Sequence, residues 1–290
     1  MRLIPLIGAL AALTFTATAT AQQIDSVEVR DPIHMLTGKG GNIGVLIGED
    51  GTFMIDDKFA PLTEAILAEV EQLGGSAPTF LINTHFHGDH TGGNENLGDA
   101  GSTIVAHEKV RERLAEGSEI EAFDMVMPPQ SGAALPVITF SQDIRFHLNG
   151  ETIDVFHVPA AHTDSDSIVH FRDANVIHTG DTVFNGFFPF IDTAHGGTLE
   201  GMIAATERVL TLTDDDTRII PGHGPLADRQ QIQGYRDMLT TARERLGKLK
   251  AEGLSAEEAA AEQPLADLEE EWGDGNFSAD QWIEIIYDGV

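Results

Sequence analysis

Thr84-His85-Phe86-His87-Gly88-Asp89-His90 puts four side chains able to bind a metal into six positions, directly after an apolar run at residues 79–82. That run reads as a buried strand. His85 and His87 leave it two residues apart on extended chain and point the same way, because the side-chain period of a strand is two. Gly88 lets the chain turn, so that Asp89 and His90 face a second centre close by. Imidazole with carboxylate is a ligand set that suits zinc, and also iron or manganese.

Three further positions complete a set for two ions. His162 follows a strand-like run at residues 152–158, Asp181 follows one at 175–178, and His223 follows one at 217–220. Each is polar, each leaves an apolar strand, and each has glycine or proline nearby. One such residue is a weak signal. Four strand ends carrying the whole set is a strong one.

Around these ends the chain alternates strands and helices. Residues 27–36, 42–47 and 52–55 read as an antiparallel meander, with turns at 38–41 and 50–51. Pro61 opens a helix whose Leu62, Ile66, Val70 and Leu73 share a face, and Gly74-Gly75 stops it. Residues 102–106 are a strand, 108–115 a helix, and 118–135 a long loop without a clear period. The second half repeats the plan, with strands at 137–140, 144–148, 152–158, 168–171, 175–178 and 217–220. Leu199, Met202, Ile203 and Leu210 mark a helix, and Asp228 caps a long one. Ser255 and Glu258 form a capping box that starts an acidic helical tail. Two similar halves of this kind predict two packed sheets with helices outside, a single α/β domain over residues 22–290.

Composition narrows the functions. A chain of 290 residues that is 41% hydrophobic and 22% charged is neither a disordered tail nor a coiled coil. Its 17 Lys+Arg against 47 Asp+Glu give a net charge of −30, which repels phosphate backbones and anionic membranes. Nucleic acid is therefore not an expected partner. There is no cysteine, so disulfides, thiolate nucleophiles and zinc–sulfur sites are excluded. Arg2, the apolar residues 3–15 and Ala19-Thr20-Ala21 read as an export signal over residues 1–21. The expected location is the periplasm or the exterior of a bacterium, with no membrane association after cleavage.

The order H-x-H-x-D-H, then His162, Asp181 and His223 in their contexts, resembles the metallo-β-lactamase superfamily. Residues 44–56 resemble that family's first motif, in which an aspartate such as Asp56 buttresses the histidine loop without being a ligand. The similarity runs from about Val27 to Leu226. It implies a four-layer αββα sandwich with two zinc ions where the sheets meet, iron or manganese being the alternatives. It further implies that His85, His87 and His162 hold one ion, that Asp89, His90 and His223 hold the other, and that Asp181 bridges.

Two ions sharing a carboxylate lower the pKa of a water between them, and Asp89 beside that water would orient it and help move its proton. The sequence has no serine elbow and no phosphate-binding glycine loop. The resemblance implies a small-molecule partner with a hydrolysable carbonyl. Export favours a cyclic amide of the β-lactam type; a thioesterase of the glyoxalase II kind or a lactonase is the alternative. The alternative of another class is a non-catalytic exported metal-binding protein. Some lactamases of the family place a lysine where this chain has Phe184, and many use cysteine or serine where it has Asp181. Lys39, at the tip of the 38–41 hairpin, is a candidate substrate cation. Phe184, with Phe187, Phe188 and Phe190, offers an apolar wall or plain core, and His195 is a further candidate to line the site.

Overall fold

Alternating burial along the strands divides the apolar side chains among three core layers. The computed structural model describes residues 23–290, and the export signal read at residues 1–21 lies outside the described residues. The strands of the first half are β1 (Asp25–Arg30), β2 (Ile33–Thr37), β3 (Ile43–Gly48), β4 (Gly51–Ile55), β5 (Pro78–Asn83), β6 (Thr103–His107), β7 (Ser118–Ile120), β8 (Met125–Met127) and β9 (Ile138–Phe140). Those of the second half are β10 (Asp143–Leu148), β11 (Glu151–His157), β12 (Ser167–Phe171), β13 (Val176–His178) and β14 (Arg218–Ile220). The first sheet has the order β1-β2-β3-β4-β5-β6-β9 and the second β10-β11-β12-β13-β14, while β7 and β8 form a separate hairpin.

The layers follow from the period of two. In β4 and β5, Phe53, Ile55 and Ile82 face inward and meet Ile153, Val155, Val169 and Phe171 of the second sheet. Met54 and Leu81 face outward, onto Ile66 and Val70 of α1 (Thr63–Gln72) and Leu97 of a later helix. On the far side, Ile168, Ile177 and Ile219 pack under helices from the second half. Helices thus cover the outer faces of two packed sheets, the expected αββα sandwich. In chain order the remaining helices are α2 (Gly88–Thr91), α3 (Asn94–Asp99), α4 (Glu108–Glu116), α5 (Leu199–Leu212), α6 (Arg229–Ala251), α7 (Ala256–Ala261), α8 (Glu269–Trp272) and α9 (Ala279–Ile286). The boxes at Asp228/Gln231 and Ser255/Glu258 cap α6 and α7. Among the described residues no helix is long and apolar enough to cross a membrane.

Two expectations are corrected. Residues 27–36 are not one strand: Asp31-Pro32 turns the chain, and Val27 pairs with Met35 across an antiparallel hairpin. Pro32 has no amide hydrogen to continue a ladder. The stretch 118–135 is not an unstructured loop, since it holds the β7–β8 hairpin, with Asp124 in the left-handed region at its turn (φ 50°). Strands of three residues are too short to show a period. The acidic tail packs into the core. Its Trp282 is fully buried, stacks on Phe188 at 4.7 Å and donates its indole N–H to the Pro189 carbonyl.

Candidate metal centre

The strand ends deliver their polar residues to one edge of the sandwich. β4 and β5 run parallel, as do β13 and β14, so Asp56 and the histidine loop leave the first sheet together while Asp181 and His223 leave the second. His87 then caps the short α2, which returns Asp89 and His90 toward His85. Two glycines permit the crowding. A Cβ on Gly41 would overlap the His90 ring, and one on Gly222 would overlap Asp181.

All seven expected residues converge. The donor atoms of His85, His87, His162 and Asp181 lie within 4.8 Å of one another, as do those of Asp89, His90 and His223. Asp181 joins the groups. Its Oδ2 is 3.5 Å from His162 Nε2 and 3.3 Å from His223 Nε2, and its Oδ1 is 3.0 Å from His90 Nε2. His85, His90 and His162 are completely buried, whereas the side chains of Asp89 and His223 keep 22% and 23% exposure, which marks the open side.

Four of the five imidazoles have their outward nitrogen occupied. His85 Nδ1 meets the Thr84 hydroxyl at 3.0 Å, and His87 Nε2 donates to Asp192 at 2.9 Å. His90 Nδ1 donates to Asp56 at 2.7 Å, and His162 Nδ1 donates to the Phe190 carbonyl at 2.8 Å. These partners hold each ring with its other nitrogen turned toward the cluster, the orientation that metal-binding histidines require. Asp56 itself also accepts from the amide and hydroxyl of Thr84, at 2.7 and 2.8 Å.

The inward side is under-satisfied. His85 Nε2 has no hydrogen-bond partner although it is buried, and Asp181 Oδ1 accepts no hydrogen bond despite its closeness to His90. A buried acceptor left bare costs about 1–3 kcal/mol, so such atoms call for a ligand. Electrostatics point the same way. Burial opposes charge on His90, yet Asp181, Asp89 and Asp56 push its pKa well above the usual imidazole value. Burial likewise opposes charge on His223, and Asp181 and Asp89 nevertheless push it up to about 9. Burial would raise Asp181, but His90, His223 and His85 hold it well below the usual carboxylate range. His85 and His162 go the other way, with burial holding His85 well below the usual imidazole value and bringing His162 down to about 4. The cluster is built for positive charge, and its chemistry fits divalent cations with nitrogen and oxygen ligands.

The family's sequence model for the metallo-β-lactamase superfamily matches residues 36–223. The chain belongs to that superfamily. Among curated relatives, the acyl-coenzyme A thioesterase MBLAC2 of Homo sapiens is 23% identical over 172 residues, 53% of this chain and 59% of that protein. The chain thus spans little more than half of that relative. The hydroxyacylglutathione hydrolase of Rhizobium meliloti (strain 1021) is 27% identical over 243 residues, covering 82% of this chain and 77% of that one. Among solved structures, a metallo-β-lactamase from Pontibacter korlensis superposes with a TM-score of 0.62 at 19% identity, over 75% of this chain and 99% of that one. A sec-alkylsulfatase from Pseudomonas sp. gives 0.63 at 17% identity, over 82% and 45%. These two superpositions establish likeness of fold.

The substrate candidates separate. Phe184 lines the cavity beside the cluster and stacks on His223 at 5.1 Å. Phe190 lines it too, while Phe188 belongs to the core and Phe187 borders a second cavity. Lys39 does not border either cavity; its ammonium lies 5.5 Å from the ring of Phe59, which does border the first. His195 is held away from the cavity, donating from Nδ1 to Asp192 at 2.7 Å. Asp192 is the residue the sequence reading passed over. A carboxylate following apolar Phe190-Ile191, three residues before a histidine, was the available signal. Lys58, completely buried with its ammonium on the Gly41 carbonyl, is a second.

Proposed function

We propose that this chain is a metal-dependent hydrolase of thioesters or lactones. His85, His87 and His162 would hold one zinc ion and Asp89, His90 and His223 a second, with Asp181 within reach of both groups. The carrying observation is the set of four imidazoles whose outer nitrogens are occupied and whose inner ones converge around Asp181, with His85 Nε2 and Asp181 Oδ1 left without a hydrogen-bond partner. Two bound divalent cations supply Lewis acidity and lower the pKa of water at neutral pH.

The protein's own groups do the rest. Asp89 borders the cavity, with Oδ2 3.3 Å from His223 Nε2 and 3.7 Å from His90 Nε2. It orients the attacking water and accepts its proton. Phe184, flat against His223, shields that side from bulk water and positions the substrate. Asp56, Asp192 and the Phe190 carbonyl hold the imidazoles in register.

The relatives' printed names, a thioesterase and a hydroxyacylglutathione hydrolase, support this bond type. A β-lactam is the second reading, favoured by Lys39, which puts a cation against the cavity-lining Phe59. The deciding experiment loads the protein with zinc, or strips it with a chelator, and offers a lactoyl thioester, a lactone and a β-lactam. Zinc-dependent turnover of the thioester or lactone is expected. Turnover of the β-lactam alone selects the second reading, and no turnover of any of the three with both ions bound overturns the hydrolase. Export rests on residues 1–21 and belongs to the same proposal; a mature N-terminus at Gln22 in a periplasmic or secreted fraction tests it.

A further inference from the structure

The metal cluster lies where a mainly apolar cavity meets a more polar one, which Phe187 and Pro225 also border, and His223 and Asn276 border both. The first is a chamber of about 140 Å³ walled by Phe59, Ile120, Phe123, Met125, Phe184 and Phe190. The second is a groove of about 610 Å³ bordered by the backbones of Gly38, Gly40, Gly224 and Gly275 and by Asn42 and Asp274. We propose that the substrate joins a compact apolar acyl group, seated in the chamber, to a hydrophilic leaving group without negative charge, seated in the groove. This rests on the hydrolase reading and specifies its substrate.

Chamber size sets the acyl group. An apolar cavity of about 150 Å³ binds benzene. A phenyl ring or an alkyl chain of about four to six carbons therefore fills this one. Its far wall is built by parts of the chain outside the metal frame. Phe123, at the tip of the β7–β8 hairpin, packs on Phe190 at 4.9 Å and on Phe277 at 5.7 Å. Phe277 and Asn276 come from the C-terminal tail, beyond the residues the family model matches. The acyl preference is accordingly a property of this chain rather than of the metal site.

Charge sets the leaving group. The residues bordering the chamber include Asp89 and Asp181 and no lysine or arginine, so an acyl carboxylate meets no partner there. The groove likewise has no lysine or arginine among its bordering residues, and Asp274 adds a negative charge. A phosphorylated leaving group would meet Asp274 with no cation bordering the groove to pair with it, and the net charge of −30 opposes its approach. In the reaction the acyl carbon–sulfur or carbon–oxygen bond breaks and a bond from that carbon to water oxygen forms. One water proton goes to the leaving thiolate or alkoxide, and the other is released as the acid product departs as its anion.

The test uses the zinc-loaded full chain and straight-chain acyl thioesters of N-acetylcysteamine, a neutral leaving group, from two to twelve carbons. Expected is a kcat/KM that rises about fourfold per methylene, peaks near six carbons and then falls. The six-carbon coenzyme A thioester should be at least about tenfold poorer at low salt, with the gap narrowing as salt screens the charge. Phe123→Ala should move the optimum to longer chains. Turnover with a flat chain-length profile, or faster turnover of the coenzyme A thioester, overturns the inference and leaves the hydrolase standing. No turnover of any thioester counts against the thioesterase reading instead. The chamber then has its own readout in metal-free protein. Hexanol should shift the Met125 methyl resonance, and Phe123→Ala should weaken that binding; an unmoved Met125 overturns the chamber assignment.

Discussion

Replacing Asp56 by asparagine exchanges a single heavy atom and should disable half of the metal centre. Asp56 sits in the left-handed region (φ 62°), which asparagine tolerates far better than alanine. Its Oδ1 accepts the Thr84 amide at 2.7 Å, and an asparagine oxygen can still do so. Its Oδ2 accepts the Thr84 hydroxyl at 2.8 Å and His90 Nδ1 at 2.7 Å, and there the amide nitrogen would stand. An amide N–H donating to His90 Nδ1 moves the ring proton to Nε2, the atom facing Asp181 and His223. Keeping Nε2 free for a metal would instead set two buried donors against each other, at a cost of about 1–3 kcal/mol. That agrees with the 10–100-fold loss of metal affinity typical when such a partner is removed, or about 1.4–2.8 kcal/mol. Competition against a chromophoric chelator measures it, with circular dichroism confirming the fold. Affinity for the ion held by Asp89, His90 and His223 should fall by that factor while the metal-free variant stays folded. Asp56→Asn that binds both ions as tightly as wild type would refute the tautomer argument.

Asp192→Asn should act in the same way on the other ion, through His87, lowering its affinity about 10–100-fold; unchanged affinity in the same competition assay would leave Asp192 a packing residue. The pKa shifts imply a pH dependence with a definite sign. Against burial, the facing carboxylates push His90 upward and His223 up to about 9 in metal-free protein, so metal must compete with protons at these imidazoles. Affinity should rise with pH up to about 9, and calorimetry in buffers of different ionisation enthalpy should show about two protons released. Lys58 supplies a stability test. Burial pushes its ammonium from the usual 10.5 down to about 8 against the pull of Asp89 and Asp56. A folded pKa below the unfolded one means that the unfolded chain binds the extra proton between these values. Wild-type stability should therefore gain about 3 kcal/mol as pH climbs from 8 through 10.5, a gain that Lys58→Met lacks. Urea unfolding of the metal-free pair checks it, and equal pH slopes would contradict the buried charge.

The αββα order was legible because most of its strands carry enough alternation to be seen, and because the ligand residues follow four of them directly. The seven donors were legible for a chemical reason: imidazole and carboxylate after buried strands have few other uses at that density. Asp31-Pro32 shows the limit of reading a strand from scattered apolar residues, since Val27 and Val29 alternate with polar side chains up to the apolar Ile33, Met35 and Leu36 and only the proline marks the fold-back. The hairpin at Ser118–Met127 was hidden by strands of three residues. Asn276 and Phe277 reach the site through tertiary packing, and nothing local to residues 255–290 announces that. Nothing local marks Lys58 as buried, since lysines are usually exposed; its ammonium is held under the hairpin carbonyl of Gly41.

The most direct test is a zinc titration of chelator-stripped protein in which bound metal and thioester hydrolysis are followed together. Two equivalents should bind per chain, with hydrolysis appearing as the shared site fills and disappearing again on chelation. Full hydrolysis without metal, or saturation with no tightly bound zinc, would contradict a catalytic centre built from His85, His87, Asp89, His90, His162, Asp181 and His223.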